Sequence, residues 1–391
     1  MPTKHALLSP SGSHRWLHCT AAPRLEAEEP NRDTDYTKEG TLAHAYCAKA
    51  LKATILGVPT DEEDREIEEL KEYYTDDMLQ YVEAYAAIVG DKLTRASLKV
   101  RDSQLIIERR LDFTKWIPDS FGTADAIIIT DGTLEVIDFK YGKGVEVSAE
   151  WNTQMMIYAL GAIAQYEDEY NIRSVRMTIV QPRLDNLSEF SLDVPALEWW
   201  AGSVLKPKAR EALTEGRMEC GEWCRFCKIK NRCTKLADSC LTIADRFGGR
   251  DRVTDEEMAR EILPRLAEIK AWVSSMEDYA LSQALAGTKF EGYKLVEGRS
   301  IRKITDPGAL AERLLEKGFA PEKIFKPAEL ETLTALEGLV GKKDFKAISD
   351  GLVVKPQGKP TLVPESDKRP AIDTISQDFD AFTGNDNDII N

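Results

Sequence analysis

Residues 122–140, GTADAIIITDGTLEVIDFK, predict a β-hairpin around which the rest of the chain is organised. Two apolar, β-branched runs flank the dipeptide Asp131-Gly132. An Asp-Gly pair between such runs is a strong sequence signal for a two-residue hairpin turn. If these two residues form the turn, Thr130 pairs with Thr133 and the pairing continues outward along both strands.

The same register brings two aspartates, Asp125 and Asp138, face to face across the hairpin. Opposed side chains lie about 5 Å apart at Cβ, where like charges repel each other unless a cation lies between them. Mg²⁺ and Mn²⁺ bind carboxylate oxygens, and Lys140 shares a sheet face with Asp138 because the two are two positions apart. The hairpin therefore predicts a metal-binding aspartate pair with an ammonium group beside it, as metal-assisted phosphodiester hydrolysis requires. The alternative is that these aspartates form turns or face solvent.

Length and composition are those of an ordinary globular protein. The chain has 391 residues, 42% of them hydrophobic and 30% charged, which suits two domains or one large domain with appendages. No apolar run approaches the roughly 20 residues of a membrane span, so we expect no membrane partner. The N-terminal stretch lacks the apolar core of a signal peptide, so we expect a cytoplasmic protein. The net charge of −15 argues against a general nucleic-acid coating protein but allows a local basic groove.

The order of the predicted elements favours an α/β fold. Helical patterns precede the hairpin, and one of them, at 38–53, carries His44. A strand at 103–113 contains Glu108, which could supply a further carboxylate, although cross-strand pairing or a solvated face is the simpler role. A helix at 152–164 and a strand at 174–182 follow the hairpin. This order predicts an α/β sandwich around a small mixed sheet.

The sequence divides into three predicted regions. Residues 1–245 form the α/β domain with its cysteine-rich segment, and 246–350 form a mostly helical accessory region. Residues 351–391 read as a disordered acidic tail, because they are rich in Pro, Asp, Asn and Gly. Within the tail, DFDAF at 378–382 predicts either a docking peptide for a recombination or replication partner or plain linker.

The helix at 152–164 carries Gln154 and Tyr158, which are four residues apart and share one helix face. A glutamine on an otherwise apolar helix face needs a hydrogen-bond partner when it is buried. An amide and a phenol at the mouth of a metal site can hold DNA phosphates or base edges, although Tyr158 equally suits a packed core. His44, taken alone, suits an exposed helix surface as well as a metal site.

Seven cysteines occur in the chain, and Cys224, Cys227 and Cys233 form a C-x2-C-x5-C pattern. Closely spaced thiolates predict metal ligation rather than disulfides in a reducing compartment. The spacing by itself favours a zinc site with Cys220 as the fourth ligand. An iron–sulfur cluster completed by Cys19 is the competing interpretation.

Cations surround these cysteines, with Trp223 and Phe226 among them. Cations that contact the backbone and rings that stack on bases are what a channel for single-stranded DNA uses. A solvated basic loop is the alternative. The candidate DNA-binding residues are Arg225, Lys228, Lys230 and Arg232.

Taken together, residues 11–240 resemble the RecB-type branch of the PD-(D/E)XK nuclease superfamily. The resemblance is to its single-domain exonucleases with an iron–sulfur cluster, including those of CRISPR adaptation and phage-encoded relatives. Five motifs in the family's order carry it: His44 in EGTLAH, Gly122 to Asp125 as G-x-x-D, Asp138-Phe139-Lys140 as D-x-K, Gln154 to Tyr158 as Q-x-x-x-Y, and Cys19 with Cys224, Cys227 and Cys233. The proline that the family has near the first aspartate is absent.

For the site, the resemblance implies a PD-(D/E)XK restriction-endonuclease-like core with one or two Mg²⁺ or Mn²⁺ ions. Their implied ligands are His44, Asp125, Asp138 and the backbone carbonyl of Phe139. Lys140 is implied to orient the attacking water or stabilise the charge of the pentavalent phosphate, while Gln154 and Tyr158 position the strand.

For the cysteines, the resemblance implies a [4Fe–4S] cluster rather than zinc, with Cys19, Cys224, Cys227 and Cys233 as ligands and Cys220 as a bystander. The activity that follows is metal-dependent hydrolysis of single-stranded DNA or duplex ends, by an exonuclease of phage or prophage recombination, repair or replication. A catalytically inactive DNA-binding or scaffold protein with a zinc-stapled nuclease-like fold is the alternative.

Overall fold

The computed structural model describes residues 6–29, 34–100, 102–246 and 252–293. The chain divides into two compact units, Met1–Thr288 and Lys289–Asn391, and 289–293 are the described residues of the second. The predicted acidic tail and the later part of the predicted accessory region lie outside the described residues. The predicted domain boundaries therefore stay predictions.

A five-stranded mixed sheet forms the centre of the first unit. Its strands are β1 (Gln104–Asp112), β2 (Phe121–Thr130), β3 (Gly132–Phe139), β4 (Ile172–Gln181) and β5 (Asn186–Asp193). They lie side by side in chain order, antiparallel except for the parallel pair β3 and β4. Helices flank the sheet, which confirms the predicted α/β class with a mixed sheet.

Helices lie before, within and after the sheet region. They are α1 (Ser13–Trp16), α2 (Ala22–Ala27), α3 (Asp35–Leu51), α4 (Asp61–Leu70), α5 (Met78–Lys99), α6 (Thr153–Tyr166), α7 (Val194–Trp200), α8 (Lys206–Ala212), α9 (Thr234–Arg246), α10 (Asp255–Glu257) and α11 (Leu266–Leu285). Short 3₁₀ turns include Pro182–Leu184 and Glu222–Phe226. The N-terminal segment forms two short helices, α1 and α2, and Cys19 lies between them.

The predicted hairpin is formed by β2 and β3 in the predicted register. The pairs run from Thr130↔Thr133 beside the turn to Ala126↔Ile137. Gly132 opens β3 with a φ of 97°, a backbone conformation that glycine adopts readily because it has no Cβ.

The hairpin opens at the end where its aspartates lie. The ladder stops one pair before Asp125 and Asp138, and there the Asp125 Oδ2 atom accepts the Phe139 N–H at 2.7 Å. The two aspartates are therefore neighbours at this end of the sheet without forming a regular cross-strand pair.

Both faces of the sheet are covered, which is why β2 and β3 are apolar on both sides. On one face lies α6, the crossover between parallel β3 and β4, with Met156 and Leu160 in the core. On the other face, α3 and α5 bury Leu42 and Tyr85 in a second core that contains Phe139. Burying one such large side chain stabilises the fold by about 1.5–3 kcal/mol. The site described next lies at the sheet end where α3 meets β1, β2 and β3.

None of the helices in the described ranges has both the length and the apolar character that a membrane crossing needs.

Candidate metal centre

Three side chains from three elements meet at the open end of the hairpin. The His44 Nδ1 atom on α3 lies 3.3 Å from the Asp125 Oδ1 atom on β2. With Glu108 on β1, they bring one ligand atom each to within 4.8 Å of one another. The edge of the His44 ring faces Phe139, with ring centroids 5.3 Å apart, so packing orients the imidazole. One nitrogen and two carboxylate oxygens at this spacing are a donor set suited to Mn²⁺ or Mg²⁺.

Glu108 was expected to pair across strands or face solvent, and the structure places it in this cluster instead. Its φ is 47° in the middle of β1, although its neighbours Ile107 and Arg109 keep their pairing with β2. A left-handed conformation at a non-glycine residue costs on the order of 1–3 kcal/mol and is concentrated at functional sites. The signal that would have indicated this position is the β1–β2 register, because it places Glu108 opposite Asp125.

A second group of side chains lies around Asp138, which is 4% exposed. The Gln154 Nε2 atom donates to Asp138 Oδ1 at 3.2 Å, and Lys140 Nζ donates to Gln154 Oε1 at 3.1 Å. Lys140 Nζ also lies 3.1 Å from Asp138 Oδ2, as an ion pair. The phenol oxygen of Tyr158 lies 3.5 Å from Gln154 Nε2. The structure thus brings the D-x-K and Q-x-x-x-Y residues into one network.

One atom of this network is only partly compensated. Asp138 Oδ2 is buried and accepts no hydrogen bond from the described residues, and its charge is offset by the Lys140 ammonium 3.1 Å away and, at longer range, by His44. A buried carboxylate oxygen without a hydrogen bond costs free energy, and a bound metal cation would lower that cost. It therefore fits the predicted role of Asp138 as a metal ligand.

Charges within the cluster compensate one another. Burial lowers the pKa of His44, but the charge of Asp125 and its hydrogen bond outweigh burial and raise it to about 9. Burial raises the pKa of Asp125, and His44 more than offsets this, so the pKa lies below its ordinary value. Burial, helped by the negative charge of Asp125, raises the pKa of Glu108 to about 8. A histidine proton and a glutamate proton thus neutralise the site where an ion would bind.

The two residues of the D-x-K motif have linked charges. Burial raises the pKa of Asp138, and the nearby ammonium of Lys140 opposes this only in part. Burial lowers the pKa of Lys140, but Asp138 and Asp125 more than compensate, so it lies above its ordinary value and the side chain is charged. Lys140 is therefore a permanent cation held against buried carboxylates.

An open cavity of about 640 Å³ adjoins the cluster. His44, Glu108, Asp125, Phe139 and Lys140 line it on one side, whereas Asp138, Gln154 and Tyr158 are not among its lining residues. This volume is in the range of ligand-binding clefts. The predicted ligands Asp125 and Phe139 and the predicted catalytic Lys140 therefore border open space, and the Q-x-x-x-Y residues support them from behind.

The acidic helix α4 also lines this cavity. Glu62 and Glu66 border it, and the Glu63 carboxylate forms an ion pair at 2.5 Å with Lys52 of the helical turn after α3. The carboxylates of α4 raise the local concentration of cations, because a cleft lined by one sign of charge focuses the opposite sign.

Four cysteines meet at a second location. Cys19, Cys224, Cys227 and Cys233 line one cavity of about 20 Å³, and Cys220 is not among its lining residues. Cys19 comes from the break between α1 and α2, and the other three come from the segment before α9. In the described residues, no three cysteine sulfurs lie within 4.8 Å of one another.

Backbone contacts hold the N-terminus against the cysteine-rich segment. Thr20 Oγ1 accepts the Arg217 N–H at 2.8 Å, and the Ala21 N–H donates to the Arg217 carbonyl at 3.3 Å. Gly216, with a φ of 67°, permits this approach, because a Cβ there would lie 2.5 Å from the backbone of Thr20 and Ala21. Two segments that are almost 200 residues apart in the chain are thus joined beside the four cysteines.

Part of the predicted DNA-binding patch is engaged within the protein. Arg232 forms an ion pair with Glu29, and the Lys230 ammonium donates to the Arg225 carbonyl at 2.8 Å. The Arg225 guanidinium lies over the Phe226 ring at 5.3 Å. The Lys228 N–H donates to Glu26, so this backbone also serves the fold. DNA binding by these residues stays a prediction.

A solved structure described as "Crystal structure of SSO0001" is similar to this chain at a TM-score of 0.26 and 12% sequence identity, over 57% of this chain and 95% of that chain. A similarity of that size carries no argument about fold or function. A family model matches residues 5–370, which is most of the chain. The chain therefore belongs to the family described as "Protein of unknown function (DUF2800)".

Proposed function

We propose that this protein is a Mg²⁺- or Mn²⁺-dependent deoxyribonuclease that acts as an exonuclease. The observation that carries the proposal is the meeting of His44, Glu108 and Asp125 within 4.8 Å beside a cavity, with Lys140 on the same wall. Each of these residues comes from a different element, and Glu108 takes up a strained conformation there. A constellation built from distant segments at an energetic cost favours a functional role.

The topology supports a PD-(D/E)XK core as part of this proposal. Helix α3, the antiparallel strands β1 to β3, the crossover helix α6 and the parallel strand β4 follow one another in the order that the sequence resemblance implies. The sequence motifs occupy the corresponding elements, with Asp125 on β2, Asp138 at the end of β3 and Gln154 on α6.

Each residue of the site has a task in phosphodiester hydrolysis. His44 and Asp125, with Glu108 and Asp138, would hold the ion, which when bound polarises the scissile phosphate and lowers the pKa of its water. The carbonyl of Phe139 remains the proposed fifth donor, since Phe139 lines the same cavity. Lys140 supplies a fixed positive charge for the developing phosphorane, and losing one such donor costs about 10²–10³ in rate.

The structure refines the roles of Gln154 and Tyr158 in this proposal. Neither is among the residues that line the cavity, so we assign them to orienting the catalytic groups rather than to direct contact with DNA. Gln154 donates to Asp138 and accepts from Lys140, and its amide is in turn near the Tyr158 phenol. This fixes the carboxylate and the ammonium relative to each other.

We further propose a [4Fe–4S] cluster on Cys19, Cys224, Cys227 and Cys233. A single zinc ion with sulfur ligands at about 2.3 Å would draw four sulfurs to within about 4 Å of one another. No three cysteine sulfurs of the described residues have this spacing, and Cys19 lines the shared cavity whereas Cys220 lies outside it, within hydrogen-bond reach of Cys224. Ligands spread around a larger group favour a cluster, with zinc as the alternative.

The deciding experiment is incubation of the purified protein with end-labelled single-stranded and duplex DNA, with and without Mn²⁺. We expect Mn²⁺-dependent loss of the label and no digestion by Asp138→Ala or Lys140→Ala of equal thermal stability. Activity in either variant would overturn the site assignment. A folded wild type that binds DNA without digesting it would favour the inactive DNA-binding or scaffold protein instead. A role in phage or prophage DNA recombination, repair or replication is the setting that we propose for the activity.

A further inference from the structure

The end of β4 and the turn that follows it contact both α3 and the loop after Lys140. We propose that Gln181 and Arg183, on either side of Pro182, are positioning residues that hold α3 and the loop after Lys140 in place for catalysis. This inference rests on the proposed nuclease function for its catalytic readout, and it concerns residues to which the sequence motifs assign no role.

Gln181 clamps the loop that begins at the catalytic lysine. It is 2% exposed, and its Nε2 atom donates to the carbonyls of Gly142 at 2.6 Å and Val145 at 2.8 Å. Its Oε1 atom accepts the Val147 N–H at 3.1 Å and the Asn186 amide at 3.2 Å. Both donors and both acceptor positions of the amide are therefore used.

The clamped loop needs such external support. The segment between the end of β3 and the start of α6 has no helix or strand of its own, and Gly142 has open space where a Cβ would lie. The Lys140 N–H donates to the Val180 carbonyl at 2.9 Å, one residue before Gln181. Backbone and side chain thus anchor the loop to the same point of β4, and Lys140 leaves that point toward the cavity.

Arg183 fixes α3 to the same turn. Its Nη1 atom lies 2.9 Å from the Glu39 Oε1 atom, and the side chains of the pair are only 11% and 17% exposed. Its guanidinium lies 4.5 Å from the centre of the Tyr141 ring, and Tyr141 directly follows Lys140 in the chain. Glu39 is on α3, five residues before His44. Arg183 therefore links the helix that carries the histidine to the residue that follows the lysine.

Removing either contact shifts a different part of the site. A shift of α3 moves His44 relative to Asp125, and metal sites need their ligands held to within about 0.5 Å. A shift of the loop moves Lys140 and leaves the imidazole in place. Arg183 should therefore act mainly on metal affinity, and Gln181 mainly on the catalytic step.

The test compares Arg183→Lys and Gln181→Glu with the wild type. Lysine keeps the charge of Arg183 but loses the planar fork, and glutamate keeps the shape of Gln181 but loses the two N–H donors. The matched control is Arg176→Lys on the same strand, whose pair with Glu135 at 3.6 Å lies on the sheet away from the cavity. Mn²⁺ binding is measured without DNA by electron paramagnetic resonance, together with the melting temperature and steady-state kinetics on end-labelled DNA.

We expect Arg183→Lys to weaken Mn²⁺ binding about tenfold, and Gln181→Glu to lower kcat about tenfold with KM for DNA within about twofold, as supporting residues of metal sites do when altered. The control should change neither value. If Gln181→Glu or Arg183→Lys does not fold, Gln181→Met and Glu39→Gln take their places with the same expectations. Variants with wild-type Mn²⁺ affinity and kcat overturn the inference, including when their melting temperature falls. A wild type that binds no Mn²⁺ overturns the metal site itself, which the wild-type titration alone reveals.

Discussion

The carboxylate cluster and the cysteine cluster differ in how the protein accommodates buried ionisable side chains. Both gather side chains from distant segments: His44 with Asp125 in one, and Cys19 with Cys227 in the other. The carboxylates are charged, so the protein supplies its own cations in His44 and Lys140. The thiols can be buried neutral, since burial raises the pKa of Cys227 to about 12.

Because of this difference, we expect the stability of the fold to depend on the cysteine cluster more than on the carboxylate cluster. The carboxylate cluster lies on a sheet that two apolar cores already stabilise, so the fold does not require an ion there. The cysteines join an N-terminal segment and a helix-poor segment around a small core of Cys224, Leu236 and Cys240. We therefore expect the first site to matter for activity and the second for stability.

The largest effect should come from removing the buried carboxylate of the first site. We expect Asp138→Asn to lower the nuclease rate by about 10³ or more, because a proposed ligand is lost. The same change should leave the melting temperature nearly unchanged, since it removes a buried charge that is disfavoured by burial while Asp125 still offsets the charge of the Lys140 ammonium. Initial rates on end-labelled DNA and a thermal melt measure both, and a strong loss of stability would remove the contrast between the two sites.

The second effect concerns the cysteines. If the protein carries the proposed cluster, we expect the wild type to be brown and Cys227→Ser to be bleached. The melting temperature of the variant should fall by about 8–16 °C, which corresponds to losing roughly 4 kcal/mol of ligand-linked stability. Visible absorption, iron content and a thermal melt provide the measurement.

Cys220→Ser is the matched control for that variant, because Cys220 contacts Cys224 but is a ligand only in the zinc interpretation. It should keep the absorption and most of the stability. Colourless wild-type protein with one zinc per chain, or bleaching by Cys220→Ser, would favour the zinc interpretation.

The parts of the fold that sequence predicts are those with local signals. The β2–β3 hairpin follows from Asp131-Gly132 between isoleucine-rich runs, and α6 follows from an apolar helical period. β5 was missed because its NLSEFSLD sequence mixes serine, asparagine and acids with only three large apolar residues. This edge strand is stabilised by its pairing with β4, and a local sequence pattern does not reveal such a contact.

Within the candidate site, too, the sequence predicts features with local signals and misses those that depend on tertiary contacts. The D-x-K and Q-x-x-x-Y motifs lie on neighbouring elements, and the structure brings Asp138, Lys140 and Gln154 into contact. Glu108 was misjudged because a positive φ inside a strand leaves no trace in composition. The Arg232–Glu29 ion pair joins segments about 200 residues apart, so the basic patch looked freer in the sequence than it is.

A smaller effect is the pH dependence of Mn²⁺ binding. Near neutral pH His44 is protonated, because its pKa is about 9, and Glu108 with a pKa of about 8 is protonated in part. Both must lose protons to bind an ion, so affinity rises with pH by about tenfold per unit for each released proton and levels off above about pH 9. Titrations at several pH values measure the slope, and His44→Gln should reduce it. Binding that is independent of pH would exclude His44 as a ligand.

The smallest effect separates strain from charge at Glu108. Both Glu108→Gln and Glu108→Asn remove the carboxylate, and both should weaken Mn²⁺ binding about tenfold. Only asparagine also tolerates the left-handed backbone well, so Glu108→Asn should be more stable than Glu108→Gln by about 1 kcal/mol. Chemical denaturation of the two variants measures this difference directly. An asparagine variant that is less stable than the glutamine variant would mean that β1 is not strained at this residue, and that Glu108 reaches the metal centre without an energetic cost to the fold.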